Sequence, residues 1–225
     1  MNIEELQKLK KMAQQHLALR GTKKKYRVVI SMGTSAIAAG AREVMTTMLD
    51  ELDIPYALGG SLASSLIGEP RSTVAVDIAI QLDDEAGAAL LERANADFYV
   101  PIDSARAAIR AHSSFNLIDT THGLKVDLFV LGEGLLDRMQ IARRTRITIP
   151  GVAAGIWVTS AEDQVLRKLD WYRNTGNESE RQWRDVVGIL RIHGDAMQLD
   201  YLRETARELN LEALLDDANY AAKAD

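Results

Sequence analysis

The chain has 225 residues, 47% hydrophobic and 26% charged, so it is long enough to bury the core of one large domain or two small ones. A formal charge of −5 argues against a general nucleic-acid coat or a membrane-surface protein, which carry a basic excess. The absence of cysteine excludes disulfides, thiolate metal sites, iron–sulfur clusters and cysteine nucleophiles. No apolar run approaches the roughly 18 residues that span a bilayer, and no signal-peptide pattern is present, so we expect a cytoplasmic protein without a membrane partner.

The first part of the chain mixes helical and strand patterns. Apolar spacing predicts a helix over 3–19, a short strand over 26–30 and a second helix over 36–52. The further predicted helices are 61–67, 83–94 and 104–111, and the predicted strands are 54–58, 74–80, 115–118, 124–131, 146–149 and 156–158. A turn at His122 and Gly123 indicates that the strands on either side of it pair as a hairpin.

Beyond Ser160 the pattern becomes entirely helical. Ser160 followed by Asp163 is similar to a capping box at a helix start. Helices are predicted over 160–173, 179–193, 197–208 and 210–222. The expected organisation is therefore an N-terminal segment over 1–52, an α/β core over 53–158 and a helical region over 159–225.

A sharp strand-to-helix turn is predicted at Gly59, Gly60 and Ser61. Two glycines allow a phosphate group to approach the backbone, and the N-terminus of the following helix offers free N–H groups and a partial positive charge. The Ser61 hydroxyl adds a further donor. The alternative is that the turn is purely structural.

Two aspartates lie on predicted strands, and each alternates with core residues. Along 74–80, Val76 and Ile78 are expected to face the core, which places Asp77 on the opposite face. The same alternation along 124–131 exposes Asp127. If the two strands are neighbours, the carboxylates converge beside the glycine turn and could hold a divalent cation, Mg²⁺ or Mn²⁺, together with nucleotide phosphates. Taken separately, each aspartate could equally be a solvated strand residue.

Several segments together resemble a known family. IPYALGGSLASSLIGEPRSTVAVDIAI resembles the Gly-Gly-Ser turn and the aspartate pair of nucleotidyltransferases, and KVDLFV resembles the strand of their third carboxylate. The resemblance continues through WVTSAEDQVLRKLDWYR and ERQWRDVVGILR, over about residues 52–220. It is to the DNA polymerase β superfamily, in particular to AbiEii-toxin-like and minimal nucleotidyltransferase-like bacterial proteins. It implies an α/β fold, with a mixed sheet flanked by helices and followed by a C-terminal helical bundle.

The resemblance also implies an activity, with one departure from the family pattern. The family transfers a nucleotidyl group from a nucleoside triphosphate to an acceptor hydroxyl in a metal-dependent reaction. Asp77 and Asp127 match the second and third metal-binding aspartates, but the first position is Ala75. Loss of one ligand is expected to weaken metal binding and to impair or abolish turnover. The alternative is an inactive nucleotide-binding protein, such as a partner in a toxin–antitoxin-like pair, or a scaffold without activity.

Two cations are candidates for the phosphates. Lys168 matches the triphosphate-binding lysine of the family, and Arg71 lies just before the aspartate strand. The structural alternatives are a solvated helix face for Lys168 and a surface position for Arg71. The acceptor is not specified and could be a protein, a tRNA or a small molecule.

The N-terminal segment carries a separate resemblance. KYRVVISMGTSAIAAGAREVMTTMLDEL is similar to the start of the thioredoxin-fold [2Fe–2S] ferredoxin subunit of NADP-reducing hydrogenases. Ser35 takes the position of a cluster cysteine, so no redox function is expected. The junction near residue 52, together with Ser35 and Ala75, favours a chimeric or engineered chain. The alternative is a natural N-terminal extension of the sheet.

Overall fold

The computed structural model describes residues 34–69, 75–120, 125–148 and 155–224. These residues all belong to one compact unit. The helix predicted over 3–19, the strand predicted over 26–30 and the candidate phosphate ligand Arg71 lie outside the described residues. Within the described ranges, no helix has both the length and the apolar character that crossing a bilayer requires.

The described elements follow the predicted order closely. They are α1 (Thr34–Glu51), β1 (Tyr56–Leu58), α2 (Gly60–Ile67), β2 (Ala75–Ile80), α3 (Asp84–Ala94), β3 (Phe98–Tyr99), α4 (Ile102–Arg110), β4 (Ser114–Asp119), β5 (Lys125–Val130), α5 (Leu135–Ala142), β6 (Thr145–Ile147), β7 (Ile156–Val158), α6 (Ala161–Asn174), α7 (Glu180–His193), a 3₁₀ turn (Gly194–Ala196), α8 (Leu199–Glu208) and α9 (Glu212–Ala224). The predicted α/β class, with a mixed sheet and a helical tail, is confirmed.

All of these strands join one mixed sheet in the order β3-β4-β5-β2-β1-β7-β6. The central pair, β2 and β5, is parallel, whereas β1 runs antiparallel to β2. The predicted hairpin of β4 and β5 is antiparallel, and β6 also pairs with β7 in antiparallel orientation. The parallel central pair matters most for function, because residues in register on parallel strands share one face of the sheet.

One face of the sheet carries the larger core. Val76, Ile78 and Ile80 on β2 are fully buried, as are Val126 and Leu128 on β5, which confirms the predicted alternation. These side chains pack in one cluster with apolar residues of α1, α3 and α4, among them Met45, Met48, Leu49, Leu90, Leu91, Ala105 and Ile109. Three helices therefore cover this face, and the polar side chains of β2 and β5 are left on the other.

A second apolar cluster lies in the helical tail. It is formed mainly by α6 to α9, with Leu166, Leu169, Val186, Ile189 and Leu202 among its most buried members. The start of α6 is capped as predicted, because the Ser160 hydroxyl accepts a hydrogen bond from the Asp163 N–H at 3.1 Å. The cap fixes where α6 begins, and α6 is the helix that carries tail residues onto the sheet.

The sequence patterns missed α5 and β3. Both elements are short, eight and two residues respectively, so neither contains enough turns or alternations to produce a clear periodicity. The omission of α5 matters for the functional site, because this helix carries Asp137 and Gln140 to the polar face of the sheet.

Candidate functional site

The glycine turn packs directly against Asp77. The Gly59 N–H donates a hydrogen bond to the Asp77 carbonyl at 2.9 Å, and the Ser61 N–H donates to Oδ2 of Asp77 at 3.2 Å. Gly60 has a φ of +57°, and a Cβ atom at this position would lie 1.8 Å from Oδ2 of Asp77. Gly60 is therefore required both for the backbone conformation and for the close approach. The Asp77 carboxylate takes the place of a side-chain cap, since Gly59 supplies none.

Asp77 and Asp127 are partners in register on the two parallel strands. Neighbouring strands lie about 4.8 Å apart, so both carboxylates emerge from the same face of the sheet at adjacent positions. The predicted convergence of the two aspartates beside the glycine turn is confirmed. Their roles in catalysis and metal binding stay a prediction, as do the phosphate-binding roles of Gly59, Gly60 and Ser61.

The pKa of Asp77 reflects its burial beside the glycine turn and the neighbouring Asp127 carboxylate. Burial raises the pKa of the Asp77 carboxyl group above its usual value, and the hydrogen bond from Ser61 opposes that shift. The neighbouring Asp127 carboxylate raises the pKa further, whereas Lys168 and Arg181 lower it. Two carboxylates this close repel each other when both are ionised, and a cation bound to both would relieve the repulsion.

Asp127 forms an ion pair with Lys125. Nζ of Lys125 lies 2.8 Å from Oδ1 of Asp127, and the lysine side chain is 52% exposed. Lys125 is also the register partner of Ala75, the position at which the family pattern has its first aspartate. An exposed ion pair contributes less than about 1 kcal/mol, so a more highly charged ligand could displace this lysine.

Arg181 is a candidate phosphate ligand that the sequence patterns did not identify. It lies in the first turn of α7, and its Nη2 donates to Oγ of Ser61 at 2.5 Å. The side chain is exposed, so the guanidinium group is accessible at the glycine turn. Arginine is well suited to phosphate because its planar donors match the phosphate oxygens. No spacing rule indicated Arg181, because 120 residues separate it from Ser61.

Lys168 occupies a different environment from a solvated helix face. Its Nζ lies 2.8 Å from Oδ2 of Asp185 and 2.8 Å from Oε1 of Gln182, and the side chain is 1% exposed. Lys168 is still close enough to Asp77 to lower the pKa of that carboxyl group. The structure thus places a buried ion pair beside the site, while direct binding of a triphosphate by Lys168 stays a prediction.

A cavity of about 350 Å³ opens next to the glycine turn. Gly59, Gly60 and Asp77 border it on one side, and Phe129 and Trp171 on another. The rings of Phe129 and Trp171 are in contact, with centroids 5.9 Å apart and planes tilted by 40°. The volume falls within the range of about 300–1,000 Å³ that is typical of small-molecule pockets.

Polar groups from α5 and α6 form a further wall of this cavity. Arg167 Nη2 donates to Asp137 Oδ1 at 2.5 Å and to Gln140 Oε1 at 3.3 Å. Oδ2 of Asp137 accepts from the Gly132 N–H at 3.0 Å. The Asp137 and Arg167 charges therefore cancel locally, and the wall presents polar groups without a net charge.

Comparison with solved structures supports the fold. No family model and no curated protein matches the chain. The chain is similar to an antigenic nucleotidyltransferase-like protein from Paracoccidioides brasiliensis, with 23% identity, a TM-score of 0.50 and coverage of 83% of this chain and 92% of that one. The chain has a nucleotidyltransferase-like fold.

Two further solved structures are less similar to the chain. One is to the solution structure of the antibiotic-resistance factor ANT(2″)-Ia, with 12% identity, a TM-score of 0.45 and coverage of 84% of this chain and 99% of that one. Another is to ANT(2″)-Ia in complex with adenylyl-2″-tobramycin, with 13% identity, a TM-score of 0.44 and coverage of 77% and 99%. Identities at this level leave the substrate to be argued from the residues of this chain. No comparison supports the ferredoxin resemblance of residues 1–52 or a chimeric origin.

The nucleotidyltransferase-like fold raises the question of whether the site fits a metal ion. Within the described ranges, no group of three or more histidine, cysteine, aspartate or glutamate side chains could hold one. Asp77 and Asp127 nevertheless supply two adjacent carboxylates on one face. Mg²⁺ is commonly bound by one or two carboxylates together with substrate phosphates and water. The donor set therefore fits one cation that arrives with a nucleotide, and Ala75 leaves it short of a two-metal centre.

The close packing at Gly60 predicts a strong effect of a single methyl group. Gly60→Ala and the control Gly176→Ala both place alanine at a positive φ, +57° and +69°, which costs about 1–2 kcal/mol. Only at Gly60 does the new Cβ collide with Asp77, since nothing lies within 4 Å at Gly176. Urea denaturation should show a larger loss of unfolding free energy for Gly60→Ala. Equal losses would contradict the close approach.

The raised pKa of Asp77 predicts a pH-dependent stability. Between the unfolded value of about 3.9 and the higher folded value, the native state binds more protons than the unfolded state, so stability falls as pH rises through this window. Asp77→Asn removes this titration. Its unfolding free energy relative to wild type should increase across the window and then stay constant, measured by urea denaturation in EDTA. Asp216→Asn, at an exposed position of α9, is the matched control, and a rise as large there as for Asp77→Asn would contradict the prediction.

The buried pair of Lys168 and Asp185 predicts an asymmetry between single and double variants. Lys168→Met removes the ammonium group that lies 2.8 Å from the buried Asp185 carboxylate, and should cost about 3–5 kcal/mol. Lys168→Met combined with Asp185→Leu should recover much of that loss, because the Asp185 carboxylate is no longer left buried without its partner. Chemical denaturation measures both. A double variant that is less stable than the single one would show that the carboxylate is stabilised by other groups.

Proposed function

We propose that this protein binds a nucleoside triphosphate at the glycine turn and transfers its nucleotidyl group, in a metal-dependent reaction slowed by Ala75, to an acceptor hydroxyl. One observation carries the proposal. Asp77 and Asp127 meet in register on parallel strands, and Asp77 also packs against the Gly60 turn. The acceptor, whether a protein, a tRNA or a small molecule, is left open.

The phosphate groups would lie at the start of α2. This helix carries a partial positive charge at its start, where the Ser61 N–H donates to the Asp77 carboxylate. Arg181 adds a guanidinium group beside the Ser61 hydroxyl, and the buried Lys168 adds positive potential behind the turn. The combination supports binding of a polyanion by a chain whose overall charge is −5. Arg71, which lies outside the described residues, remains a further candidate.

Asp77 and Asp127 would hold a single Mg²⁺ or Mn²⁺ that enters with the triphosphate. When bound, such a cation neutralises phosphate charge and polarises the phosphoryl oxygens. In the transfer itself, the acceptor oxygen would bond to the α-phosphorus, pyrophosphate would leave, and a carboxylate of the site would accept the proton of the hydroxyl. Ala75 removes one carboxylate from this cluster, which is why we propose slow turnover.

The second candidate is a nucleotide-binding protein without transfer activity, as in a toxin–antitoxin-like pair. Ala75 favours it, because loss of a metal ligand impairs chemistry more than binding through Ser61 and Arg181. An inactive chimeric scaffold is a further hypothesis, resting on the sequence of residues 1–52 and on Ala75 alone.

Nucleotide binding predicts a rise in melting temperature. A ligand that binds only the folded state stabilises it by about 2.7 kcal/mol at a concentration one hundred times its Kd. Millimolar nucleoside triphosphate should raise the Tm, and Mg²⁺ or Mn²⁺ should increase the shift relative to EDTA. The isosteric Asp127→Asn should lose only the metal-dependent part, whereas Asp216→Asn should behave as wild type. Absence of any shift with any nucleotide or metal would refute both candidate functions.

Replacing Ala75 by aspartate tests whether Asp77 and Asp127 are metal ligands. Ala75→Asp should increase the affinity for Mn²⁺, measured by electron paramagnetic resonance, because a third carboxylate joins the cluster. Incorporation of label from an α-labelled triphosphate into protein, tRNA or small-molecule acceptors should then be compared between the two forms. Unchanged Mn²⁺ affinity would argue that this face of the sheet does not hold the metal. Stronger Mn²⁺ binding without incorporation would favour the second candidate.

A further inference from the structure

One basic side chain lies among the acidic side chains on the polar face of the sheet. Asp77, Asp127 and Asn116 occupy one row across β2, β5 and β4, because each is in register with its neighbour. The adjacent row contains Ala75 on β2 and Lys125 on β5. Among the residues of these three strands, Lys125 is the one cation. The charge that these strands bring to the site is therefore set by two carboxylates and one lysine.

Lys125 lies opposite the position at which the family pattern has its first aspartate. Ala75 and Lys125 are register partners on parallel strands, so their backbones are about 4.8 Å apart and their side chains share one face. Alanine offers the lysine no charged partner. Nζ of Lys125 instead lies 2.8 Å from Oδ1 of Asp127. The residue that removes one carboxylate from the cluster thus also allows an ammonium group to lie within it.

The charge of the cluster suits one divalent cation together with this lysine. Asp77 and Asp127 provide two negative charges when both are ionised, and Lys125 offsets one of them. Two divalent cations would bring four positive charges to these two carboxylates, next to an ammonium group of the same sign. Like charges this close repel each other. Lys125 therefore disfavours a second metal ion in addition to the missing ligand at position 75.

An ammonium group also supplies part of what a metal ion supplies to a phosphate chain. It carries a positive charge and three N–H donors, of which the contact with Asp127 uses one. Two donors remain for phosphate oxygens. The Lys125 side chain is 52% exposed, so it can turn toward a ligand without disturbing the core. Lysine acts on phosphates as a point charge, and unlike a bound metal ion it is present in a chelator.

We infer that Lys125 is a built-in cation of the site, which takes the place of one divalent metal ion and contacts the triphosphate directly. The inference rests on the proposed function and deepens it, because it explains how two carboxylates and a single metal ion suffice for a polyanion. It gives Lys125 two opposite effects. The lysine weakens the binding of metal ions alone and strengthens the binding of triphosphate. An exposed ion pair without a role in the site has neither effect.

The first measurement is the Mn²⁺ affinity of the full chain without nucleotide, by electron paramagnetic resonance. Lys125→Met should bind Mn²⁺ about twofold to fivefold tighter than wild type, because Asp127 loses the cation that competes with the metal ion. The gain should be larger when Lys125→Met is combined with Ala75→Asp, since the restored carboxylate otherwise pairs with the lysine. Lys125→Arg keeps the positive charge and should stay close to wild type.

The second measurement is the affinity for each of the four common nucleoside triphosphates and for inorganic tripolyphosphate, by isothermal titration calorimetry in EDTA. Lys125→Met should weaken the binding of the tightest nucleotide by about fivefold or more, because a hydrogen bond from a charged group is lost. Tripolyphosphate should lose affinity by a similar factor, since the contact is to phosphate. Lys125→Arg should retain most of both affinities.

Arg207→Met is the matched control, because it also removes a cation from an exposed ion pair, here with Glu212 in the helical tail. It should leave the Mn²⁺ and triphosphate affinities unchanged. Tighter Mn²⁺ binding together with weaker triphosphate binding in Lys125→Met supports the inference. Any other combination, including no change or a fall in both affinities, would overturn it, as would wild-type triphosphate binding that requires Mn²⁺. Failure of wild type to bind any triphosphate, with or without Mn²⁺, would instead refute the proposed function.

Discussion

The contact between Gly60 and the Asp77 carboxylate is the constraint on which the site depends. A side chain at position 60 would be strongly destabilising, because its Cβ would overlap Asp77 and because the backbone there has a positive φ. The same carboxylate accepts a hydrogen bond from the N–H of Ser61 in the first turn of α2. Asp77 is therefore fixed by the turn that it helps to form, and its partner Asp127 follows from strand register.

Helix α6 links this turn to the helical tail. Nε2 of Gln164 donates to the Gly60 carbonyl at 2.6 Å and to Oγ of Ser64 at 2.9 Å, both in the buried interior. One and two turns further along the helix, Lys168 joins the buried ion pair and Trp171 reaches the cavity. Because buried hydrogen bonds and ion pairs tolerate little displacement, α6 positions the aromatic wall and the glycine turn relative to each other.

The site contains groups suited to binding phosphate, but it has fewer carboxylates than the family pattern. The N-terminus of α2, Ser61 and Arg181 are groups suited to a polyanion. Among the described residues of β2 and β5, Asp77 and Asp127 are the two carboxylates on the face where the family pattern has three. Lys125, opposite Ala75, holds Asp127 through an exposed ion pair that offsets part of the negative charge. These features support the proposal of nucleotide recognition with slow or absent transfer.

The sequence alone determined the local features of this protein. Alternation along β2 and β5 sets which residues are buried, and Gly59-Gly60-Ser61 sets a strand-to-helix turn, because both effects act over a few neighbouring residues. Helix α5 escaped prediction, since it has only eight residues and neither a side-chain cap nor a glycine pair marks its start, whereas Gly59-Gly60 marks the equally short α2. Arg181, Gln140 and the pairing of Lys168 with Asp185 were decided by tertiary structure. Their positions depend on how helices distant in sequence pack onto one face of the sheet, and such packing leaves no periodic pattern in the chain.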